Sequence, residues 1–120
     1  MNARTAFERL LKRYGNTVTI RRNGRTEVTK AFVQPLRRQH RLYLDEKMIH
    51  AGRHENAYLV YYGDTAHRFC HGDRTVITYM EQAYTVLICD SYAVSGQEVY
   101  IRAVLAPKKD LKEDDYDVID

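Results

Sequence analysis

The sequence predicts a mainly β protein: a small antiparallel β-barrel of about six strands, with one short N-terminal α-helix and a long connection between the second and third strands. Three observations carry this. Short stretches alternate apolar and polar residues at the two-residue period of a half-buried strand. Turn residues separate them at close and regular intervals, with no helical pattern between, as in small closed barrels. One amphipathic stripe of helical period stands at the start of the chain.

The helix comes first. Thr5 and Glu8 have the spacing of a capping box, in which each side chain serves an orphan amide of the first turn. Phe7, Leu10, Leu11 and Tyr14 then recur at i, i+3, i+4 and i+7, which predicts a helix over 6–14, and Gly15 suits a left-handed C-terminal cap. From residue 17 the period becomes two. "TVTIRR" (17–22) and "TEVTKAFVQ" (26–34) flank Asn23-Gly24, the dipeptide that best provides the two positive φ angles of a type I′ hairpin turn. Pro35 cannot donate to a ladder, so the strand ends there or lies on an edge.

Further strands are expected in "AYLVYY" (57–62), "TVITYM" (75–80), "AYTVLICD" (83–90) and "EVYIRAVLA" (98–106), with Glu81-Gln82 and Ser95-Gly96-Gln97 as turns. In the last strand Val99, Ile101, Ala103 and Leu105 share one face and Tyr100, Arg102 and Val104 the other. Residues 35–56 fit either a strand near 41–49 or a long loop, and connections of that length are uncommon and usually functional or disordered. A chain of 120 residues makes a single domain, here 1–107, followed by an acidic tail at 108–120 expected to be flexible.

Composition narrows the function classes. No apolar run approaches the roughly 20 residues of a membrane span, so no membrane role is expected. "MNARTAFERLLKRYG" has no hydrophobic export core, which places the protein in the cytoplasm where it is made, with Cys70 and Cys89 as free thiols. The net charge of +3 conceals an asymmetry: residues 1–54 hold 13 Lys/Arg against 4 Asp/Glu, residues 55–120 hold 6 against 12. Such a dipolar chain can meet nucleic acid with one face or copies of itself head to tail. Ten tyrosines, beside three Phe and no Trp, suit half-buried strand positions and interface anchors.

The stretch that looks most like chemistry is "HRFCHGD" (67–73). Zinc needs four ligands in matched pairs, and Cys70 next to His71 is poor geometry on a strand, with no second CxxC or HxxxH and Cys89 patterned as a core thiol. A Cys–His nucleophile would need an orienting group and an oxyanion hole that the sequence does not signal. No phosphate-loop or dinucleotide fingerprint is present. No metal, no cofactor and no enzymatic activity are therefore expected. Gly72-Asp73 reads as a turn into the strand that follows, with His71 and Arg74 in solvent and Phe69 or Cys70 tucked beneath. The better functional candidate is the basic segment, in which Arg37, Arg38, Arg41, Lys47, Arg53, His50 and His54 could lie along phosphates and Tyr43 could stack on a base.

Taken in order, the helix ending at Gly15, "VTIRR", "KAFVQP", a long polar loop, "YLVYYGD", "GDRTVITYMEQAYTVL" and "VYIRAVLAP" resemble a phage family over roughly residues 5–107. It is that of the small head–tail connectors, the head-completion or stopper proteins of long-tailed phages and of defective prophages of Gram-positive bacteria. The resemblance implies a small β-barrel with an appended helix that assembles as a ring beneath the portal and its adaptor, retains packaged DNA and joins the tail. It also implies a virion protein made in the bacterial cytoplasm, whose loop between the second and third strands, here about Pro35–Asn56, points into the channel and closes it. If "RLYLDEKMI" extends the sheet instead, the ring-forming role survives without the plug. The alternatives are a nucleic-acid-binding β-barrel of oligonucleotide-binding type and a tail-completion protein of the same module.

Overall fold

The computed structural model describes residues 2–36, 58–70 and 72–108. Helix α1 (Ala3–Tyr14) is followed by β1 (Asn16–Arg22), β2 (Arg25–Pro35), β3 (Leu59–Gly63), a one-turn 3-10 helix (Thr65–His67), β4 (Val76–Tyr79), β5 (Gln82–Val94) and β6 (Gln97–Pro107). All neighbouring strands run antiparallel, and the sheet closes on itself in the order β1-β2-β3-β6-β5-β4. Two three-stranded meanders are thus joined by a crossover from β3 to β4. Closure comes where β1 meets β4, with Thr19 opposite Thr78 and Ile20 opposite Ile77. A closed barrel removes the sheet edges that would otherwise invite association.

The expected elements are present, with shifted limits. The helix begins a turn earlier than the Thr5–Glu8 spacing predicts. Its cap is Asn2, whose side chain accepts a hydrogen bond from the Thr5 amide at 2.9 Å, so Thr5 is a cap recipient. Gly15 is not left-handed: its φ of −72° and ψ of 162° are extended. Glycine is needed there for closeness, because a Cβ would sit 2.6 Å from the Leu11 carbonyl oxygen and 3.1 Å from the Lys30 Cβ. Asn23 (φ 54°) and Gly24 (φ 78°) form the expected hairpin turn. The β4–β5 turn falls on Met80-Glu81, one residue before the expected position, and both residues adopt positive φ (50° and 66°).

β5 and β6 are longer than their hydrophobic runs suggest and form a hairpin whose tip projects past the barrel. β4 pairs with β5 only over 82–85, and β3 pairs with β6 only over 101–105. Beyond those positions the two strands pair with each other as far as Val94 and Gln97. A bulge between Val86 and Ile88 lets Val86 and Cys89 face the interior while Leu87 and Ile88 join a cluster on the outer side.

The barrel interior is filled by Val18, Ile20, Ala31, Tyr61, Phe69, Ile77, Ala103 and Leu105, all buried. Tyr61 lies over Gly63 two residues along the same strand, where a Cβ would come within 2.7 Å of its ring and hydroxyl. Phe69 meets the Tyr61 ring edge-on at 5.3 Å. A second cluster, Leu36, Tyr58, Val60 and Val104 with Tyr62, Leu87, Ile88 and Ala106 against it, sits on the outer wall of β3, β6 and β5. Val104, on the opposite face of β6 from Leu105, is therefore buried from the outside.

Candidate interaction surfaces

The outer surface of the barrel divides into two walls of different construction. On one, α1 lies across β2 and β6. Phe7 packs edge-on against Phe32 of β2 at 5.9 Å and at a tilt against Tyr100 of β6 at 5.1 Å. Tyr100 in turn meets Tyr62 at 5.5 Å and stacks on Tyr92 of β5 at 5.0 Å. Leu11 is buried beside them, and each such aromatic pair adds about 0.5–1.5 kcal/mol beyond area burial. The ladder ends in solvent. Tyr92 is 50% exposed and Val94, near the hairpin tip, 40%, so the tip presents apolar anchors of the kind interfaces use. Asp90 and Arg102 pair across the same two strands through two contacts, at 3.2 and 3.3 Å.

Among the described residues no helix lies on the other wall, β4–β1–β2. Because Val18, Ile20, Ala31 and Ile77 point inward, their neighbours Thr17, Thr19, Arg21, Thr26, Val28, Lys30 and Thr78 point outward. Val28 at the centre is 67% exposed, and Arg21 and Lys30 are exposed toward the two ends. Thr17 faces Lys30, Thr19 faces Val28 and Arg21 faces Thr26. The last helical turn carries Lys12 and Arg13, both exposed, and ends where Gly15 meets the Lys30 Cβ.

The "HRFCHGD" stretch is a corner held by side-chain caps. Asp64 accepts from the His67 amide at 3.0 Å and lies 2.8 Å from His67 Nδ1. Asp73 accepts from the Cys70 amide at 2.8 Å, from the Thr75 amide at 3.1 Å and from the Thr75 hydroxyl. Burial pushes the Asp73 carboxyl upward, but these hydrogen bonds and the Arg22 guanidinium at 3.7 Å outweigh it and hold its pKa below the ordinary value. Phe69 is the residue tucked beneath; Cys70 and Arg74 are exposed, and His71 lies outside the described residues. The Cys89 thiol donates to the Phe69 carbonyl at 3.2 Å, and burial, with acidic neighbours, pushes it up to about 12, so it stays protonated and unreactive at neutral pH. Among the described residues no three His, Cys, Asp or Glu side chains come together as a metal site would require.

Arg22 and Arg68 tie this corner to the rest of the molecule. Arg22 donates to the Arg68 carbonyl, Arg68 pairs with Glu98 of β6, and Arg4 of α1 donates to the Glu98 carbonyl at 2.9 Å. Ser91 of β5 also donates to the Glu98 carboxylate at 2.9 Å. Helix, corner and projecting hairpin are thereby joined at one end of the barrel.

Arg37, Arg38, Arg41, Tyr43, Lys47, His50, Arg53 and His54 all lie within 37–57, outside the described residues. The structure does define where that segment departs and returns. The Leu36 amide donates to the Tyr58 carbonyl at 2.9 Å, and both side chains are buried in the outer cluster. The basic segment therefore leaves and rejoins the barrel at one closed neck. Sequence reading missed the bare Thr/Val wall and the Tyr100 ladder. The outward series Thr17, Thr19, Arg21 and Thr26, Val28, Lys30 was a readable signal for the first; the second depends on how α1 lands. No family model, curated protein or solved structure matches the chain.

Proposed function

We propose that this chain is a structural protein of a phage or prophage head–tail junction, a head-completion or stopper subunit that forms a ring below the portal and adaptor, retains packaged DNA and joins the tail. The observation that carries the reading is the order of elements: a helix docked outside a closed six-stranded barrel, and a basic excursion of 37–57 issuing from a single neck between the second and third strands. That is the architecture implied by the family the sequence resembles. The projecting β5–β6 hairpin, with Tyr92 and Val94 exposed near its tip, also suits the heterologous, head-to-tail contacts from which rings are built. In this reading Arg37, Arg38, Arg41, Lys47 and Arg53 face the DNA phosphates. The partners are portal or adaptor above, tail proteins below and further copies alongside. The role is non-enzymatic and the residence is the virion.

The test is deletion of the coding sequence from the inducible lysogen that carries it, followed by electron microscopy and a nuclease-protection assay on the particles. Tailless heads that have packaged DNA but leak it are the expected result. Heads that keep their DNA yet lack tails would reassign the chain to tail completion. Normal infectious virions would overturn the reading. A free nucleic-acid-binding barrel would be left, whose binding to short DNA should fall steeply between about 50 and 200 mM salt. The six-stranded closed order differs from the five-stranded, partly open oligonucleotide-binding barrel, so the sheet itself lends that alternative no weight.

A further inference from the structure

We infer that the bare β4–β1–β2 wall is the docking surface for this chain's own acidic segment, residues 113–120, laid across it within one molecule. The inference is independent of the head–tail reading.

The geometry begins where the described chain stops. Pro107 pairs with Tyr84, and the Lys108 amide donates to the Ala83 carbonyl at 2.8 Å, which fixes the exit point beside the start of β5. From Ala83 a single row of partners crosses the wall: Ala83 faces Thr78, Thr78 faces Thr19, and Thr19 faces Val28. Strands lie about 4.8 Å apart, so this row is about 15 Å long. The 12 residues from 109 to 120 span up to about 40 Å when extended, ample to cross it.

The chemistry is complementary. Residues 113–120, "EDDYDVID", carry Glu113, Asp114, Asp115, Asp117 and Asp120 and no basic residue. The wall offers Arg21 and Lys30 at its ends, with Lys12 and Arg13 on the helical turn beside Lys30. Its exposed acids, Glu27 and Glu81, belong elsewhere: Glu27 alternates to the inward side of β2 at the rim, and Glu81 sits in the β4–β5 turn. Between the charges Val28 is 67% exposed, and the acidic segment brings Tyr116, Val118 and Ile119 to cover it. Outward threonines supply hydroxyls to a backbone or carboxylate without competing charge.

The experiment places a nitroxide spin label at the far end of the segment, in the full chain carrying Cys70→Ser and Asp120→Cys, and reads amide intensities by NMR. Thr19, Val28 and Thr78 amides should lose roughly half their intensity or more at about 0.1 M salt and recover at about 1 M, where the Debye length falls from about 10 Å to about 3 Å. The same labelled chain with Arg21→Glu and Lys30→Glu should show no such loss at the lower salt, while its spectrum remains that of a folded barrel. Unchanged intensities at these three amides would overturn the inference. So would losses seen only when labelled chain is mixed with unlabelled, isotope-enriched chain, which would give the wall to a second copy.

Discussion

Strand β2 belongs to both walls, and four residues along it separate their two characters. Val28 points outward and is 67% exposed; Phe32 points outward and lies under Phe7 of the helix, half-buried. The outward alternation of β2 is the same at both positions. What differs is whether α1 arrives to cover the side chain, which it does over β2 and β6 and not over β1 and β4. The clad wall spends much of its apolar surface on the fold, and its aromatic ladder is most exposed at Tyr92. The bare wall contributes little to packing, so its residues are free to answer to an occupant.

Substitutions at chosen depths sharpen that comparison. Gly63→Ala, in β3 of the clad wall, forces a methyl group into the Tyr61 ring and should cost about 2 kcal/mol, within the usual range for overpacking. Urea unfolding reads this as a lower midpoint at unchanged slope. Tyr61→Phe should act in the opposite sense. The Tyr61 hydroxyl is buried with no hydrogen-bond partner among the described residues, and burial, with Asp64 and Cys89 close by, pushes its pKa well above the ordinary value, so it remains neutral. Removing it should stabilise the barrel by about 1 kcal/mol and raise the thermal midpoint by several degrees. A loss of stability would mean that the hydroxyl has a partner.

The parts of this molecule legible in the sequence are those governed by neighbours along the chain. Asn23-Gly24 announced its turn because few other dipeptides take two positive φ angles at so little cost. The alternation of Val18, Ile20 and of Val99 to Leu105 announced strands, because one buried face leaves a period of two. Met80-Glu81 makes a turn of the same kind, but neither residue is a turn former, so the pairing of Tyr79 with Gln82 imposes it from the ladder. Gly15 looked like a helix cap and is instead a point of close approach to β2, a fact of tertiary contact. The Arg68–Glu98 pair and the Phe7–Tyr100–Tyr92 ladder join residues far apart in sequence, beyond the reach of periodicity. Of the candidate site, the sequence supplied the basic residues of 37–57, and the structure supplied the neck at Leu36 and Tyr58 from which they issue.

The central claim is that one wall holds the fold together while the other is left for an occupant. It is tested most directly by unfolding Phe7→Ala and Val28→Ser in urea side by side. Phe7→Ala should lose about 3 kcal/mol, at the low end for a large aromatic because Phe7 is only partly buried, and Val28→Ser should stay within about 0.5 kcal/mol of the parent. Equal losses from the two substitutions would contradict the division of the barrel into a clad and a bare wall.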